Sequence, residues 1–173
     1  MAETKTAPEP WMRGTHGDLP AVPRAVVHSF EQAQEDLQRW CSHLTDEEWN
    51  LKPQGLSSVA FQLRHIVSST DRLLTYAEGN SLTAEQFSSL KDEANYVARG
   101  NEAMAEFTDA MQRAEQRVRA LAGADLEAPR TIGRRALPTT LGGLLVHVAE
   151  HTSRHVGQLI LTAKLAVNTR GGF

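Results

Sequence analysis

Three histidines near the carboxyl end of the chain, His147, His151 and His155, follow one another at intervals of four residues. On an α-helix they would share one face, and two rings four residues apart can reach the same metal ion. His147 and His155 are eight residues apart, roughly 12 Å along a helix. Metal–nitrogen bonds are only about 2 Å long, so at most two of the three bind one ion. The spacing leaves both adjacent pairs open.

The stretch HVAEH, residues 147–151, also matches the HxxEH signature of the inverted zinc proteases. In that chemistry the glutamate, here Glu150, is the general base, and a carboxylate farther along the chain completes the metal site. The sequence contains no aspartate or glutamate after Glu150. We therefore do not favour the protease interpretation.

A catalytic metal site typically has three protein ligands and an open position, so a third ligand must come from elsewhere. His65 is the candidate, because it lies in the middle of a segment with helical apolar spacing. The alternative for His65 is a histidine at the rim of the core. His28 and His43 belong to no HxxxH pair, and His16 lies near the amino terminus.

Four segments show apolar residues at the three- and four-residue spacing of amphipathic helices. They lie near residues 22–44, 57–79, 101–122 and 139–166. Helix caps are expected at Ser57 or Ser58, at Asn101, and at Thr139 or Thr140. A short helix is expected near residues 84–90, and no segment alternates as a strand would. Four long amphipathic helices predict an all-α fold, a four-helix bundle.

The domain organisation follows from composition along the chain. Residues 1–21 are rich in proline and lack periodicity, so we expect a flexible leader there. Residues 22–173 are expected to form one bundle domain, because 173 residues suit a single core.

Charge and cysteine content exclude several protein classes. A net charge of −3 gives no reason to expect nucleic acid or an anionic membrane as partner. Cys41 is the single cysteine, so the chain has no internal disulfide. We see no signal peptide and no apolar run long enough for a membrane span. We therefore expect a cytoplasmic protein.

Two long stretches resemble the DinB-like (YfiT-like) family of small bacterial metalloproteins. They are LTDEEWNLKPQGLSSVAFQLRHIVSSTDRLLTYAEG, residues 44–79, and LPTTLGGLLVHVAEHTSRHVGQL, residues 137–159. In that family a serine-capped helix carries one ligand histidine, and an HxxxH before a glycine–glutamine pair supplies the other two. The resemblance implies the ligands His65, His151 and His155. His147 and Glu150 are then expected beside the ligands, where they could orient a ring.

The resemblance also implies a range of functions. Relatives bind a divalent metal ion, usually zinc or nickel, and some transfer low-molecular-weight thiols to a small-molecule substrate. The first expectation is a metal-dependent thiol S-transferase that forms a homodimer. The alternatives are a hydrolase using a metal-bound water and a non-enzymatic bundle with a structural metal or none. Many relatives have arginine after the last histidine, where this chain has Val156, which points to a different substrate.

Overall fold

The computed structural model describes residues 7–168. Residues 1–6 of the predicted leader and residues 169–173 of the predicted bundle domain lie outside the described residues. The described part of the chain is mostly helical. Its helices are α1 (Ala21–Cys41), α2 (Asp46–Asn50), α3 (Val59–Ala77), α4 (Ala84–Asp92), α5 (Gly100–Ala120) and α6 (Leu141–Asn168). Single 3-10 turns lie at Pro10–Met12, Pro53–Gly55 and Glu93–Asn95. No helix in residues 7–168 combines the length and the apolar character that crossing a membrane would require.

The four long helices predicted from apolar spacing are all present, as α1, α3, α5 and α6. α6 packs against both α1 and α3, and these two helices also pack against α5. The helices bury their apolar stripes against one another, and burial of this apolar surface is the main favourable contribution to folding. The largest fully buried side chains of the four helices include Phe30, Leu63, Ile66, Phe107, Met111, Leu145 and Leu159.

The first predicted helix, 22–44, ends earlier than predicted, and a separate short helix follows it. α1 ends at Cys41, and α2 begins after Thr45. The hydroxyl of Thr45 accepts a hydrogen bond from the backbone N–H of Glu48, whose carboxylate accepts one from the N–H of Thr45. This reciprocal cap satisfies helix-end donors locally and fixes the new start.

The predicted N-cap of α5, Asn101, is wrong. α5 begins at Gly100, and the residue before it makes no side-chain cap. Instead the carboxylate of Asp46, in α2, accepts a hydrogen bond from the Gly100 N–H at 2.9 Å. A Cβ at Gly100 would lie 2.4 Å from Nε1 of Trp49, which is fully buried. A contact distant in sequence thus replaces the local cap, and it requires glycine.

The prediction of an all-α fold without strands is incomplete. An antiparallel hairpin of β1 (Pro129–Ile132) and β2 (Leu137–Thr140) precedes the last helix, and the end of β2 lies within the predicted helix 139–166. Each strand has four residues, too few for an alternating pattern to stand out. α6 follows β2 directly, and the hydroxyl of Thr140 accepts a hydrogen bond from the Gly143 N–H, as expected for a cap.

Residues 7–20, inside the range predicted as a leader, contact α1 and α5. Arg13 makes a two-point ion pair with Glu35 of α1, at 2.5 and 2.8 Å. Arg119 of α5 donates a hydrogen bond to Asp18 at 2.8 Å. The side chain of Leu19 is buried in the core cluster.

Candidate metal centre

The structure brings together three of the seven histidines, His65 from α3 and His151 and His155 from α6. One ring nitrogen of each lies within 4.8 Å of the others. The ring centroids are 4.4 Å apart for His65 and His155, 4.4 Å for His151 and His155, and 5.1 Å for His65 and His151. These are the residues that the family resemblance implied as ligands.

Two helices position the cluster. His151 and His155 are one turn apart on α6, so their rings project from the same face. His65 projects from α3, which packs against that face of α6. α3 begins at a cap in which the hydroxyl of Ser58 accepts a hydrogen bond from the Phe61 N–H. The cap and the packing together fix the rotation of α3 and hence the direction of His65.

The Nδ1 atoms of His65 and His155 are each held by an acceptor. Nδ1 of His65 lies 2.8 Å from a carboxylate oxygen of Glu93. Nδ1 of His155 lies 2.8 Å from the amide oxygen of Gln62, one turn before His65 on α3. A carboxylate and an amide oxygen can only accept, so both rings carry their proton on Nδ1 and a lone pair on Nε2.

His151 is held in the same way by Ser69 of α3. Its Nδ1 lies 3.3 Å from the Ser69 hydroxyl. That hydroxyl donates its own proton to the backbone oxygens of His65 and Ile66. It is therefore an acceptor toward His151, which also carries its proton on Nδ1.

These three contacts leave Nε2 as the nitrogen of each ring whose lone pair can bind a metal ion. Three imidazole nitrogens from two packed helices form a donor set that suits zinc, nickel and other first-row divalent ions. Metal-binding histidines typically donate the other ring N–H to a carboxylate, a carbonyl or another fixed acceptor, and this cluster has one such partner for each ring. The residues present fit a divalent ion.

The carboxylate that holds His65 is itself buried. Glu93 lies in the 3-10 turn after α4, only 5% exposed, and its second oxygen accepts a hydrogen bond from Arg72 at 2.7 Å. Arg72 is 8% exposed and lies two turns after His65 on α3. Burial opposes ionisation of Glu93, but the hydrogen bonds from His65 and Arg72 outweigh it and hold the pKa of this carboxyl below its usual range.

Burial and mutual repulsion favour the neutral rings. Burial, followed by the neighbouring rings of His155 and His65, lowers the pKa of His151 to about 4. Burial, followed by His65 and Arg154, also lowers the pKa of His155. At neutral pH these two rings therefore need not lose a proton before they bind a cation.

His147 and Glu150 lie outside the cluster. The His147 ring lies 5.6 Å from the His151 ring, edge to face, and its side chain is 43% exposed. Glu150 pairs with His147 and Arg154, and neither hydrogen bond involves a clustered ring. The alternative set of His65, His147 and His151 is therefore not assembled. The expected orienting role of Glu150 has no contact to support it.

The three clustered side chains are not fully buried. All three histidines are partly exposed, and the ring of Phe61 stacks parallel to His65 at 5.8 Å between centroids. Phe61 therefore supplies an apolar surface beside the ring of His65.

A second group of possible ligands, His16, His28 and Glu31, fits a metal ion poorly. Nδ1 of His16 accepts a hydrogen bond from the Arg119 guanidinium at 2.7 Å. Nε2 of His16 then carries the proton and donates to Glu31 at 2.8 Å. Neither nitrogen of His16 is free, and a guanidinium cation lies beside it. We interpret this group as a network that ties residues 15–18 to α1 and α5.

Sequence reasoning missed the residues that hold the three rings. Gln62, Ser69 and Arg72 form a polar stripe with His65 at helical spacing along α3. That stripe could have been found, because polar residues at such spacing on a buried helix need partners. Glu93 gave no comparable signal, because it lies 28 residues after His65 in an irregular connection.

Comparison with known proteins agrees with these observations. A model of the DinB superfamily matches residues 29–159, which include all of α3 and α5 and all three clustered histidines. No curated protein and no solved structure matches the chain. The family match covers most of the chain, and the chain therefore belongs to the DinB superfamily.

Proposed function

We propose that the protein binds one divalent metal ion through His65, His151 and His155 and acts as a metal-dependent thiol S-transferase. The observation that carries the proposal is the common orientation of the three rings. Each donates Nδ1–H to a fixed acceptor, which leaves Nε2 as the nitrogen that can bind an ion. Zinc and nickel are the proposed ions, since imidazole suits both.

The protein's own groups would bind and orient the reactants. A divalent ion held by neutral ligands keeps its full charge and lowers the pKa of a thiol or a water molecule beside it. Gln62, Ser69 and Glu93 keep the three rings in position, and Phe61 supplies an apolar surface for the substrate. Preorganised groups of this kind need no rearrangement when the reactants bind.

The alternative of a hydrolase is less well supported, because the nearby carboxylates are engaged. Hydrolysis needs a base that takes a proton from water. Both oxygens of Glu93 accept hydrogen bonds, from His65 and Arg72. Glu150 is paired with Arg154 on the outer side of α6. A thiol would need no such base, since a divalent ion beside it would lower its pKa enough for the proton to pass to solvent water.

The alternative of a structural metal is also less well supported. Structural zinc sites are closed by four protein ligands. Among residues 7–168, the cluster offers three, and all are partly exposed. Three ligands and an open side are typical of catalytic sites.

Three further features stay proposals. We propose that α1, α3, α5 and α6 form a four-helix bundle, since each packs against two of the others. We propose a homodimer in the cytoplasm, on the family resemblance and the sequence composition. Sedimentation equilibrium tests the dimer, and a single 19.1 kDa species at high concentration would contradict it.

Cobalt substitution tests the thiol proposal without knowledge of the substrate. Cobalt(II)-loaded protein is titrated with glutathione and with cysteine, and thiolate-to-cobalt charge-transfer absorption is recorded. Cys41 is the single cysteine and is buried, so such absorption must come from the added thiol, and Cys41→Ala confirms this. We expect the band in wild type and in His43→Ala, and its absence in His155→Ala. Loaded protein that shows no band with any thiol would contradict the transferase proposal.

A further inference from the structure

We infer that Glu93 is a positioning residue of the metal site: with Arg72 it holds His65 in the one tautomer that can bind the ion. The inference rests on the proposed metal site and extends that site to a third segment of the chain. His65, His151 and His155 lie on two helices, whereas Glu93 belongs to the connection between α3 and α5.

In this geometry both carboxylate oxygens of Glu93 accept hydrogen bonds. One carboxylate oxygen lies 2.7 Å from a guanidinium nitrogen of Arg72, and the other lies 2.8 Å from Nδ1 of His65. A guanidinium can only donate, so Arg72 holds the first oxygen as an acceptor. The second oxygen then accepts the Nδ1 proton of His65, which leaves the lone pair on Nε2.

Burial makes the hydrogen bonds of Glu93 and Arg72 difficult to replace. Glu93 and Arg72 are both more than nine-tenths buried, so water cannot easily replace a lost partner. A buried charge without its partner is costly, and the two charges of Glu93 and Arg72 therefore stay together. Two further contacts hold the same connection against α3: the Arg64 guanidinium lies 5.4 Å from the centre of the half-buried Tyr96 ring, and the 3-10 turn Glu93–Asn95 packs against the helix.

A neutral amide at position 93 tests whether metal binding requires His65 to carry its proton on Nδ1. The side chain of Glu93→Gln has one acceptor atom and one donor group, but Arg72 and His65 both need an acceptor. If the amide oxygen faces Arg72, the NH₂ group faces His65 and draws its proton to Nε2, the atom that should bind the ion. If the amide is reversed, two donors meet at Arg72. Either arrangement weakens metal binding.

Removal of Arg72 should therefore restore metal binding in the Glu93→Gln variant. In the double variant Glu93→Gln/Arg72→Met, the amide oxygen is released to accept from His65, and an apolar side chain of similar length fills the space of Arg72. A purely structural role of the ion pair also predicts recovery of stability in the double variant, which no longer buries an unpaired guanidinium, but it predicts no change in the tautomer of His65.

The test is zinc affinity, measured by competition with a chromophoric chelator on untagged full-length protein. We expect Glu93→Gln to weaken binding by about 10- to 100-fold, the usual effect of losing such a partner. We expect the double variant to recover most of that loss. The matched control is Glu102→Gln, which breaks an exposed pair with Arg99 and should bind like wild type.

The tautomer of His65 is read separately from the ¹⁵N shifts of the ring in metal-free protein. We expect the proton on Nδ1 in wild type and in the double variant, and on Nε2 in Glu93→Gln. Unchanged affinity and tautomer in Glu93→Gln, or no recovery in a folded double variant, would overturn the inference while the metal site stands. Failure of wild-type protein to bind zinc would overturn the proposed function, and the ring shifts would still decide the role of Glu93.

Discussion

Replacing Gly100 with alanine tests how α2 fixes the start of α5. The new Cβ would lie 2.4 Å from Nε1, 2.9 Å from Cδ1 and 3.2 Å from Cε2 of Trp49. Trp49 is fully buried and cannot swing into solvent. The first turn of α5 must therefore move away from α2, which also stretches the hydrogen bond from Gly100 N–H to Asp46.

Two opposing effects set the size of the change. Alanine is favoured over glycine in a helix by at most about 1 kcal/mol, and by less at a helix end. Overpacking of a well-filled core costs about 1–3 kcal/mol. The expected net loss in the free energy of unfolding is about 1–2 kcal/mol. For a chain of this size each kcal/mol lowers Tm by about 2–4 °C.

Urea unfolding of metal-free protein, followed by circular dichroism, measures the difference. The matched control is Gly157→Ala in the middle of α6, where a Cβ would meet no atom within 4 Å. There the helix propensity acts alone, and we expect a gain of about 0.5–1 kcal/mol. A Gly100→Ala variant as stable as wild type would refute the packing argument.

Three further predictions concern single buried or half-buried groups. Thr152 is fully buried, and its hydroxyl has no hydrogen-bond partner among residues 7–168, so Thr152→Val should raise the free energy of unfolding by about 1 kcal/mol in urea titration. Burial raises the pKa of the Cys41 thiol to about 12, so native protein should react with iodoacetamide far more slowly than urea-unfolded protein; equal rates would show an open site. Burial and its neighbours lower the pKa of His151 from 6.5 to about 4 on folding, so the unfolded chain takes up a proton first as the pH falls. Metal-free protein should therefore lose stability between pH 6.5 and pH 4, and His151→Gln should lose less.

The sequence predicted those parts of the fold that depend on local periodicity. The apolar spacing of the four long helices is a local property, and their approximate ranges are confirmed. The start of α5 does not depend on local sequence alone, because its cap comes from Asp46, 54 residues earlier in the chain. The hairpin escaped prediction because its strands are short and largely exposed.

The candidate site was likewise predicted only where local sequence or the family resemblance determines it. Helical geometry showed that His147 and His155 cannot share an ion, but spacing alone left two pairs open. The family resemblance selected the pair that the structure brings to His65. The partners of the rings depend on how α3, α6 and the α3–α5 connection meet, so Glu93 could not be found from one sequence. Glu150 lies about 100° from the histidine face on a helix, and in the structure it turns outward to Arg154.

Metal content of two single-histidine variants tests the central assignment most directly. Wild type, His155→Ala and His147→Ala are purified without a histidine tag, loaded with zinc, dialysed and analysed for bound metal per chain. Wild type should retain about one ion. His155→Ala leaves two of the three clustered rings and should lose stoichiometric metal, whereas His147→Ala removes a ring outside the cluster and should retain most of it. Metal retained in His155→Ala and lost in His147→Ala would contradict the assignment.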